Sequence, residues 1–424
     1  MKFRFFAALS ALCVVFSLIT GCASEKQLDL SSDAETDSKT SATLVEPVEG
    51  LADDFIKGMD ISSIISQEKS GVVYYDFDGN PQDIFVTLSE AGVNYIRVRV
   101  WNDPFDSEGN GYGGGNCDVA NAAEIGRRAA ECGMKLLVDF HYSDFWADPD
   151  RQTAPKAWAE LSFEDKKTAI YDYTVESLNQ ILSAGADVGI VQTGNEINGG
   201  MAGETQSENV IELLEQASRA VRDVSQQSGK DIKIAVHYTD IHKREQIMYH
   251  VDTLKSAELD YDIFGVSYYP YWHGSIEDMQ ETLRDISQAR GKSVMILETS
   301  YPYTTEDGDG FKNSMSDAEP MNGYPATVQG QAECLRDVIA ASSEAGAIGV
   351  CWWEGGWIPV GSDAAFNSSV WEKYGSGWAS SYSAEYDPDN AGKYYGGSSW
   401  DNQAMFDFDG HPLDSLNVFN LVGQ

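Results

Sequence analysis

The segment Val188-Gly-Ile-Val-Gln-Thr-Gly-Asn-Glu196 is a short apolar run that leads into a loop bearing a carboxylate. A second run of this kind, Val294-Met-Ile-Leu-Glu298, ends directly in a glutamate. A carboxylate placed where a buried strand gives way to a loop is rigidly held yet open to a substrate, as acid/base and nucleophilic chemistry require. A single glutamate of this type is more often a capping or salt-bridged residue, so its interpretation depends on the rest of the chain.

Short apolar or β-branched runs recur along the chain, separated by segments with helical periodicity or loop chemistry. Eight runs are found, at residues 55–59, 95–101, 136–140, 188–192, 232–236, 263–266, 294–297 and 348–352. Residues 118–132 between two of them are rich in helix formers and are followed by Gly133, a typical helix stop. None of these runs is followed directly by the G-x-G-x-x-G turn of an open doubly wound sheet. The alternation therefore predicts an α/β fold, a (β/α)8 TIM barrel, in residues 51–424.

The first 22 residues have the layout of a signal peptide. Two positive charges precede the apolar residues 5–19, a stretch too short to span a bilayer as a mature helix. Ile19-Thr-Gly-Cys22 resembles a bacterial lipobox, so we expect a secreted protein held at the bacterial cell surface through a lipid on Cys22. Residues 23–50 are acidic and poor in large apolar side chains, and they predict a flexible linker.

The net charge of -38, from 67 acidic and 29 basic residues, limits the possible partners. Such a field repels nucleic acid, anionic lipid and polyanions, so a neutral polymer or a cation is favoured. We expect a monomer. The remaining cysteines have no metal-type C-x-x-C spacing, and we predict no disulfide among them; they are Cys117, Cys132, Cys334 and Cys351.

In a TIM barrel the active site lies at the carboxyl ends of the strands, so the residues that end the eight runs should share one chemistry. They include Arg99, Trp101, Asp139, His141, Tyr142, Asn195, Glu196, His237, Tyr268, Tyr269, Glu298, Trp353 and Glu354. Two carboxylates can act as acid/base and nucleophile, amide and imidazole groups can bind hydroxyls, and aromatic rings can stack on sugars. Taken singly, Arg99, His237 and Trp353 could each be structural. Together the residues indicate a carbohydrate site.

The Asn-Glu pair on the fourth run and the glutamate on the seventh resemble the retaining glycosidases of clan A. Longer motifs narrow the resemblance to glycoside hydrolase family 53, the endo-β-1,4-galactanases, over the chain from about residue 51 onward. They are Gly58-Met-Asp-Ile-Ser-Ser63, Arg97-Val-Arg-Val-Trp-Asn-Asp-Pro104, Asp139-Phe-His-Tyr-Ser-Asp-Phe-Trp-Ala-Asp-Pro149, Thr193-Gly-Asn-Glu-Ile-Asn198 and Glu298-Thr-Ser-Tyr-Pro-Tyr303. The resemblance implies endo-cleavage of β-1,4-galactan, as in the type I arabinogalactan side chains of pectin.

The same resemblance implies individual roles. Glu196 would be the acid/base, Glu298 the nucleophile, and Asn195 a contact to the sugar beside the scissile bond. The subsite around that bond would be shaped by Arg99, His141, His237, Tyr268 and Trp353, and extended by Trp146 and Trp357. We expect Arg99 to keep Glu298 ionised, with a carboxyl separation of roughly 5 to 5.5 Å as in retaining enzymes.

After the seventh run, Glu306-Asp-Gly-Asp-Gly-Phe-Lys-Asn313 carries acids at alternate positions between glycines. Such a loop suits Ca²⁺, although the residues alone equally allow an acidic turn that binds nothing. The family resemblance favours a structural calcium ion. Its ligands would be the side chains of Asp307, Asp309 and Asn313 and the carbonyl of Phe311, with Asp387 closing the site. The long loop of residues 361–400 is rich in aromatic residues and is expected to build distal sugar subsites.

Two other functions stay open from the sequence. A clan A enzyme of different specificity, such as a β-mannanase or an endoglucanase, would share the two glutamates but should lack the Asp-Phe-His-Tyr-Ser-Asp run. A noncatalytic carbohydrate-binding lipoprotein would not need both glutamates intact.

Overall fold

Eight parallel strands close into a barrel in the order in which they occur along the chain, in a computed structural model that describes residues 44–316 and 323–424. They are β1 Ile56–Asp60, β2 Tyr95–Val100, β3 Lys135–Phe140, β4 Val188–Thr193, β5 Lys233–Tyr238, β6 Ile263–Ser267, β7 Ser293–Thr299 and β8 Ala347–Trp352. Each predicted run overlaps one of these strands, in the predicted order. The (β/α)8 prediction is therefore confirmed.

Helices cover the outside of the barrel between successive strands. They are α1 Ile64–Lys69, α2 Ile84–Glu90, α3 Val119–Glu131, α4 Phe163–Ser183, α5 Ser207–Ser228, α6 Arg244–Ser256, α7 Ile276–Arg290 and α8 Val328–Glu344, and after β8 come α9 Ala364–Tyr374, α10 Ala391–Tyr394 and α11 Val418–Leu421. Short 3-10 turns lie at Lys156–Trp158, Ser381–Glu385, Asp401–Gln403 and Asp414–Asn417. The helix predicted in residues 118–132 is α3, where the side chain of Asp118 accepts the backbone N–H of Asn121.

The alternation of side chains along each strand separates two apolar layers and aims polar groups at one end of the barrel. Residues facing the helices form the large core. A smaller cluster fills the barrel, formed by Ile56, Leu137, Ile190, Ala235, Ile263, Met295, Leu297 and Cys351. Two positions further along β3, after Leu137, the inward residue is Asp139, and on β5 His237 follows Ala235 in the same way. The barrel interior is thus apolar at its amino end and polar at its carboxyl end.

The predicted linker of residues 23–50 is wrong at its carboxyl end. Val45 and Val48 are buried in the main core, and the backbone N–H of Val48 donates to the carbonyl of Val422 at 3.0 Å. Arg336 of α8 donates to the carbonyl oxygens of Glu46 and Pro47. The folded unit therefore begins by residue 44, because even two valines find enough buried surface against the chain terminus and α8. Residues 1–43, with the predicted signal peptide and Cys22, lie outside the described residues.

No helix in the described ranges has the length and hydropathy needed to span a bilayer. The four cysteines of these ranges are all unbridged.

Removal of residues 44–50 should destabilise the domain, whereas removal of residues 1–43 should not. A chain starting at Leu51 loses two buried valines and their backbone anchors, which is expected to lower the free energy of unfolding by about 2–4 kcal/mol. Urea unfolding followed by tryptophan fluorescence measures the difference against a chain starting at Leu44. Equal unfolding midpoints for the two chains would contradict the packing described for this segment.

Candidate active site

A cleft of about 640 Å³ opens at the carboxyl ends of the strands. The side chains of Glu196, after β4, and of Glu298, near the end of β7, both line it. These are the two carboxylates predicted from the sequence, and the barrel brings them into one cavity as expected for the catalytic face of a TIM barrel. The polar inward residues of β1, β2 and β3 lie beneath them.

Arg97 of β2 is the cation that pairs with Glu298. One of its nitrogens, Nη2, lies 2.8 Å from Oε1 of Glu298 and 2.8 Å from Oδ2 of Asp139, while Nη1 lies 2.9 Å from Oδ2 of Asp60. The guanidinium is 1% exposed, so these interactions take place away from bulk water. A buried cation with three carboxylates around it compensates charges that would otherwise be very costly to bury.

The prediction that Arg99 holds Glu298 in its ionised form is therefore wrong. Arg99 also points into the barrel, but it pairs with Glu354 after β8 and donates to the carbonyl oxygen of Gly114. Its guanidinium lies 4.2 Å from the ring centroid of Trp146, which lines the cleft. Arg99 thus supports the aromatic wall of the cleft, whereas Arg97 pairs with Glu298, the candidate nucleophile.

Glu298 has the environment of a carboxylate that works in its ionised form. The hydroxyl of Tyr269 donates to its Oε2 at 2.9 Å, opposite the contact with Arg97. Burial raises the pKa of Glu298 above its ordinary value, and the charge of Arg97 and the Tyr269 hydrogen bond oppose that rise. Two charge-stabilising partners therefore act on this glutamate.

No described residue pairs with Glu196 in this way. Burial raises the pKa of Glu196 to about 8, and the negative charge of Glu298 adds to the rise. Its Oε1 lies 2.7 Å from Oγ of Ser267. The backbone at Glu196 has a φ of 45°, in the left-handed region, and Gly194 two residues earlier has a φ of 90°. A strained turn thus presents a carboxyl group that is protonated near neutral pH.

Asn195 and His237 are neighbours, but only Asn195 lines the cleft. The amide nitrogen of Asn195 donates to the carbonyl of Ala147 at 2.9 Å, and its oxygen lies 2.8 Å from Nδ1 of His237. His237 is fully buried behind it. The structure therefore places His237 as a support of Asn195, whereas the sequence led us to expect it in the sugar subsite.

His141 lines the cleft as predicted, with both ring nitrogens already engaged. Its Nδ1 accepts from the indole N–H of Trp101 at 3.1 Å and from the backbone N–H of Ala147 at 3.2 Å. The proton is therefore on Nε2, which lies 3.1 Å from Oδ2 of Asp139. His141 orients the carboxylate that also pairs with Arg97.

Tyr268 does not line the cleft, contrary to expectation. Its ring packs in the outer core, and its hydroxyl donates to the carbonyl of Gly274 at 3.0 Å. Successive residues of a strand point to opposite sides, so the next residue, Tyr269, faces the cleft and contacts Glu298. The sequence analysis named both tyrosines as strand-end residues and assigned the subsite to the wrong one.

Tryptophan side chains form much of the cleft wall. Trp146, Trp353 and Trp357 line it, as predicted. Three more were missed as individual site residues: Trp272, Trp378 and Trp400. Two of these belong to the aromatic loop of residues 361–400, whose composition had indicated sugar subsites. Trp272 follows β6 in Tyr269-Pro-Tyr-Trp272, where an aromatic run after a strand end was the available signal, and half of its surface is exposed.

Three carboxylates form a separate cluster that can hold a cation. Asp307, Asp309 and Asp401 each offer an oxygen within 4.8 Å of the others. Burial raises the pKa of Asp309 to about 7 and that of Asp401 to about 8. Asp307 adds to the rise at Asp309, and Asp309 and Asp307 add to the rise at Asp401. Oδ1 of Asn313, whose amide nitrogen donates to Asp401, has no partner among the described residues. Hard oxygen donors that form no ion pair with the described residues fit Ca²⁺.

The predicted ligand set differs from this cluster at one position. Asp387 instead pairs with Arg151 at 2.9 Å, and Asp401 joins Asp307 and Asp309. The ring of Phe311 packs against Trp371. Phenylalanine has no side-chain oxygen, so only its backbone carbonyl is a potential ligand. Asp401 was missed because several acids occur in the long last loop and local sequence does not fix its path.

A second group, Asp240, His242 and His273, lies at the rim of the cleft. Nδ1 of His273 accepts the backbone N–H of Tyr269 at 3.1 Å, so its proton is on Nε2, the atom that faces Asp240. Burial lowers the pKa of His273 to about 4, so the ring is neutral. A protonated Nε2 offers no lone pair to a metal, and this group is better described as part of the cleft rim.

Comparison with known proteins agrees with this geometry. The model of glycosyl hydrolase family 53 matches residues 56–419. Over 422 residues the chain is 50% identical to an endo-beta-1,4-galactanase of Bacillus subtilis (strain 168), covering 99% of this chain and 96% of that protein. It is 31% identical to an arabinogalactan endo-beta-1,4-galactanase of Cellvibrio japonicus (strain Ueda107), covering 73% and 83% of the two chains.

Among solved structures, the family 53 catalytic domain of Ignisphaera aggregans superposes with a TM-score of 0.80 at 38% identity, covering 90% of this chain and 99% of that one. The family model spans all eight strands and both cleft glutamates. The chain belongs to glycosyl hydrolase family 53.

Proposed function

We propose that this protein hydrolyses β-1,4-linked galactan, including the type I arabinogalactan side chains of pectin, as a retaining endo-glycosidase. The observation that carries the proposal is the unequal environment of the two cleft glutamates. Glu298 is paired with Arg97, whereas Glu196 is half-buried, forms no ion pair with a described residue and has a pKa raised to about 8. One carboxyl group is thus suited to attack and the other to donate a proton.

In the first step, Glu298 attacks the anomeric carbon while the bond from that carbon to the leaving oxygen breaks. Glu196 gives its proton to the leaving oxygen, which is why it must be protonated beforehand. In the second step, the now ionised Glu196 takes a proton from a water molecule that attacks the same carbon, and Glu298 is released. Two inversions at one carbon retain the anomeric configuration.

The substrate assignment follows the relatives named as galactanases and the cleft walls. Tryptophans follow β3, β6 and β8, so aromatic faces are available for several sugars of a chain. The net charge of -38 disfavours polyanions and is compatible with neutral galactan. A β-mannanase or endoglucanase would use the same two glutamates, and a noncatalytic binding protein would not need their unequal environments.

Release of reducing sugar from linear β-1,4-galactan, compared with β-mannan and carboxymethylcellulose, tests the proposal. Activity is expected on galactan alone, and Glu298→Gln should lower it at least about 10³-fold, because the loss of a nucleophile corresponds to about 4 kcal/mol or more in the barrier. Asp150→Asn is the matched control, since Asp150 is an exposed carboxylate at the cleft rim. It should stay within about threefold of the parent protein.

Turnover of mannan or cellulose in place of galactan would keep the mechanism and reject the substrate. A failure to hydrolyse any of the three polymers would support a binding protein instead.

We also propose a structural Ca²⁺ ion held by Asp307, Asp309, Asp401 and Asn313, with the carbonyl of Phe311 as a further potential ligand. The ion would neutralise buried carboxylates and fix the loop that carries Trp400 in the cleft wall. It takes no part in the bond-breaking steps.

Chelation should therefore lower thermal stability. Calcium at about 100 times its dissociation constant would contribute about 2.7 kcal/mol, so EDTA is expected to lower the Tm by several degrees, reversibly on adding Ca²⁺. Asp401→Asn should abolish this response, whereas Asp387→Asn, which changes the residue that the sequence had suggested, should keep it. If the Tm of the parent protein changes with neither EDTA nor Ca²⁺, the proposed calcium site is rejected.

The export and anchoring of the chain are proposals from residues 1–43. The charged start, the apolar stretch and Cys22 favour a lipoprotein at the bacterial cell surface, with the acidic linker as a spacer. We further propose that the folded domain acts as a monomer, because the cleft is built from one chain.

A further inference from the structure

A continuous series of buried hydrogen bonds connects Arg97 to Glu196. Gln192 and Asn195 form its first half, beside the guanidinium. His237 and Ser267 form its second half: Nε2 of the imidazole lies 2.9 Å from Oγ of Ser267, which in turn lies 2.7 Å from Oε1 of Glu196. The four linking side chains are buried, so their protein neighbours determine which atom of each pair donates the hydrogen.

The orientations of both amide groups follow from partners that can play only one role. Arg97 only donates, so the atom of Gln192 that faces it at 3.1 and 3.2 Å is the oxygen. The carbonyl of Ala147 only accepts, so the atom of Asn195 that faces it at 2.9 Å is the nitrogen. The oxygen of Asn195 is therefore the atom that lies 2.8 Å from Nδ1 of His237.

This arrangement determines the tautomer of His237. An amide oxygen only accepts, so Nδ1 of His237 must carry the hydrogen. The amide nitrogen of Gln192, 2.9 Å from the same Nδ1, has acceptors for its hydrogens in Gly194 and Asn195, each at 3.1 Å. Burial and the charge of Arg97 lower the pKa of His237 well below its ordinary value, so the ring holds a single proton. Nε2 then carries a lone pair, which accepts the hydrogen of the Ser267 hydroxyl.

The hydroxyl of Ser267 has one hydrogen, and with this tautomer of His237 the hydroxyl donates that hydrogen to Nε2. Toward Glu196, Oγ then presents only lone pairs, and an ionised carboxylate at 2.7 Å would place two acceptors against each other. A protonated Glu196 instead donates its own hydrogen to Oγ. We propose that Ser267 and His237 are positioning residues that hold Glu196 in its protonated form before the substrate is cleaved.

Ser267 and His237 also affect the second step of the reaction, in which Glu196 takes back a proton. Once Glu196 has given its proton to the leaving oxygen, the Ser267 hydroxyl must rotate to donate to the new carboxylate. Nε2 of His237 then loses its donor, and this buried unpaired atom favours the return of a proton to Glu196 from the attacking water. The role in catalysis rests on the proposed hydrolase function, but the direction of the hydrogen bonds does not.

Other charged groups also act on Glu196 and stay in place in the variants below. Glu298 on β7 and Asp148 in the loop after β3 both raise the pKa of Glu196, whereas the hydrogen bond with Thr239 after β5 lowers it. Arg97 and His141 are the cationic or titratable groups that act on His237. A shift between variants therefore reports on Ser267 and His237.

The tautomer can be measured directly in the unmodified protein. The chain has only six histidines, so ring nitrogen-15 spectra of protein labelled at histidine are tractable. The signal that disappears in His237→Leu identifies this residue. We expect the form protonated at Nδ1 near neutral pH, and observation of the form protonated at Nε2 would overturn the proposal. This result does not depend on which glycan the protein cleaves.

The alkaline limb of kcat/KM tests the consequence, measured on the β-glycan that the protein hydrolyses. In His237→Leu, Ser267 is released to donate to an ionised Glu196, so the limb should move to lower pH by about one unit, the size expected for one hydrogen bond to a charged group. Adding Ser267→Ala removes that donor, and the double variant should lose the downward shift.

Ser342→Ala, which removes a buried hydroxyl from α8 away from the cleft, should leave the limb unchanged. An alkaline limb in His237→Leu that stays at its original pH or rises, in protein that remains folded by circular dichroism, would contradict the proposal. A merely structural role would lower kcat without moving the limb.

Discussion

The site depends on one buried guanidinium. Arg97 lies at the centre of the barrel mouth, where its hydrogens reach carboxylates from β1, β3 and β7 and amide oxygens from β4 and the loop after it. Three carboxylates this deep would otherwise have to take up protons or separate, because the desolvation of an unpaired charge costs several kcal/mol. The cation lets the strands converge with their charges intact, and it gives each neighbour a single permitted orientation.

Chemical asymmetry follows from this position. Glu298 contacts the cation directly and is stabilised in its ionised form, whereas Glu196 meets Arg97 only through amides, an imidazole and a hydroxyl. Each group in that series determines whether the next group donates or accepts a hydrogen bond, and no charge is transferred along it. One fixed charge can thus favour opposite protonation states in the two glutamates, as acid/base and nucleophile roles require.

Features that repeat along the chain could be predicted from sequence, and features that depend on side-chain direction or loop path could not. The eight strands and the two glutamates follow from periodicity and from the rule that barrel sites lie at strand ends. Arg97 and Arg99 both point inward, so their spacing could not show which one meets Glu298. Tyr268 and Tyr269 both follow the sixth run, and the sequence alone could not show that Tyr269 is the one that contacts Glu298. Asp401 depends on the course of a long loop.

The most direct test of Arg97 as the organising charge is kcat/KM of Arg97→Lys beside its matched neighbour Arg99→Lys. A lysine ammonium has three donors and no planar fork, so it cannot serve three carboxylates and two amides at once. We expect Arg97→Lys to lower kcat/KM at least about 10³-fold, which corresponds to about 4 kcal/mol in the barrier. The decrease in kcat/KM for Arg99→Lys should be at least about tenfold smaller than that for Arg97→Lys. An Arg97→Lys protein within about tenfold of the parent, or an equal loss in both variants, would contradict the account.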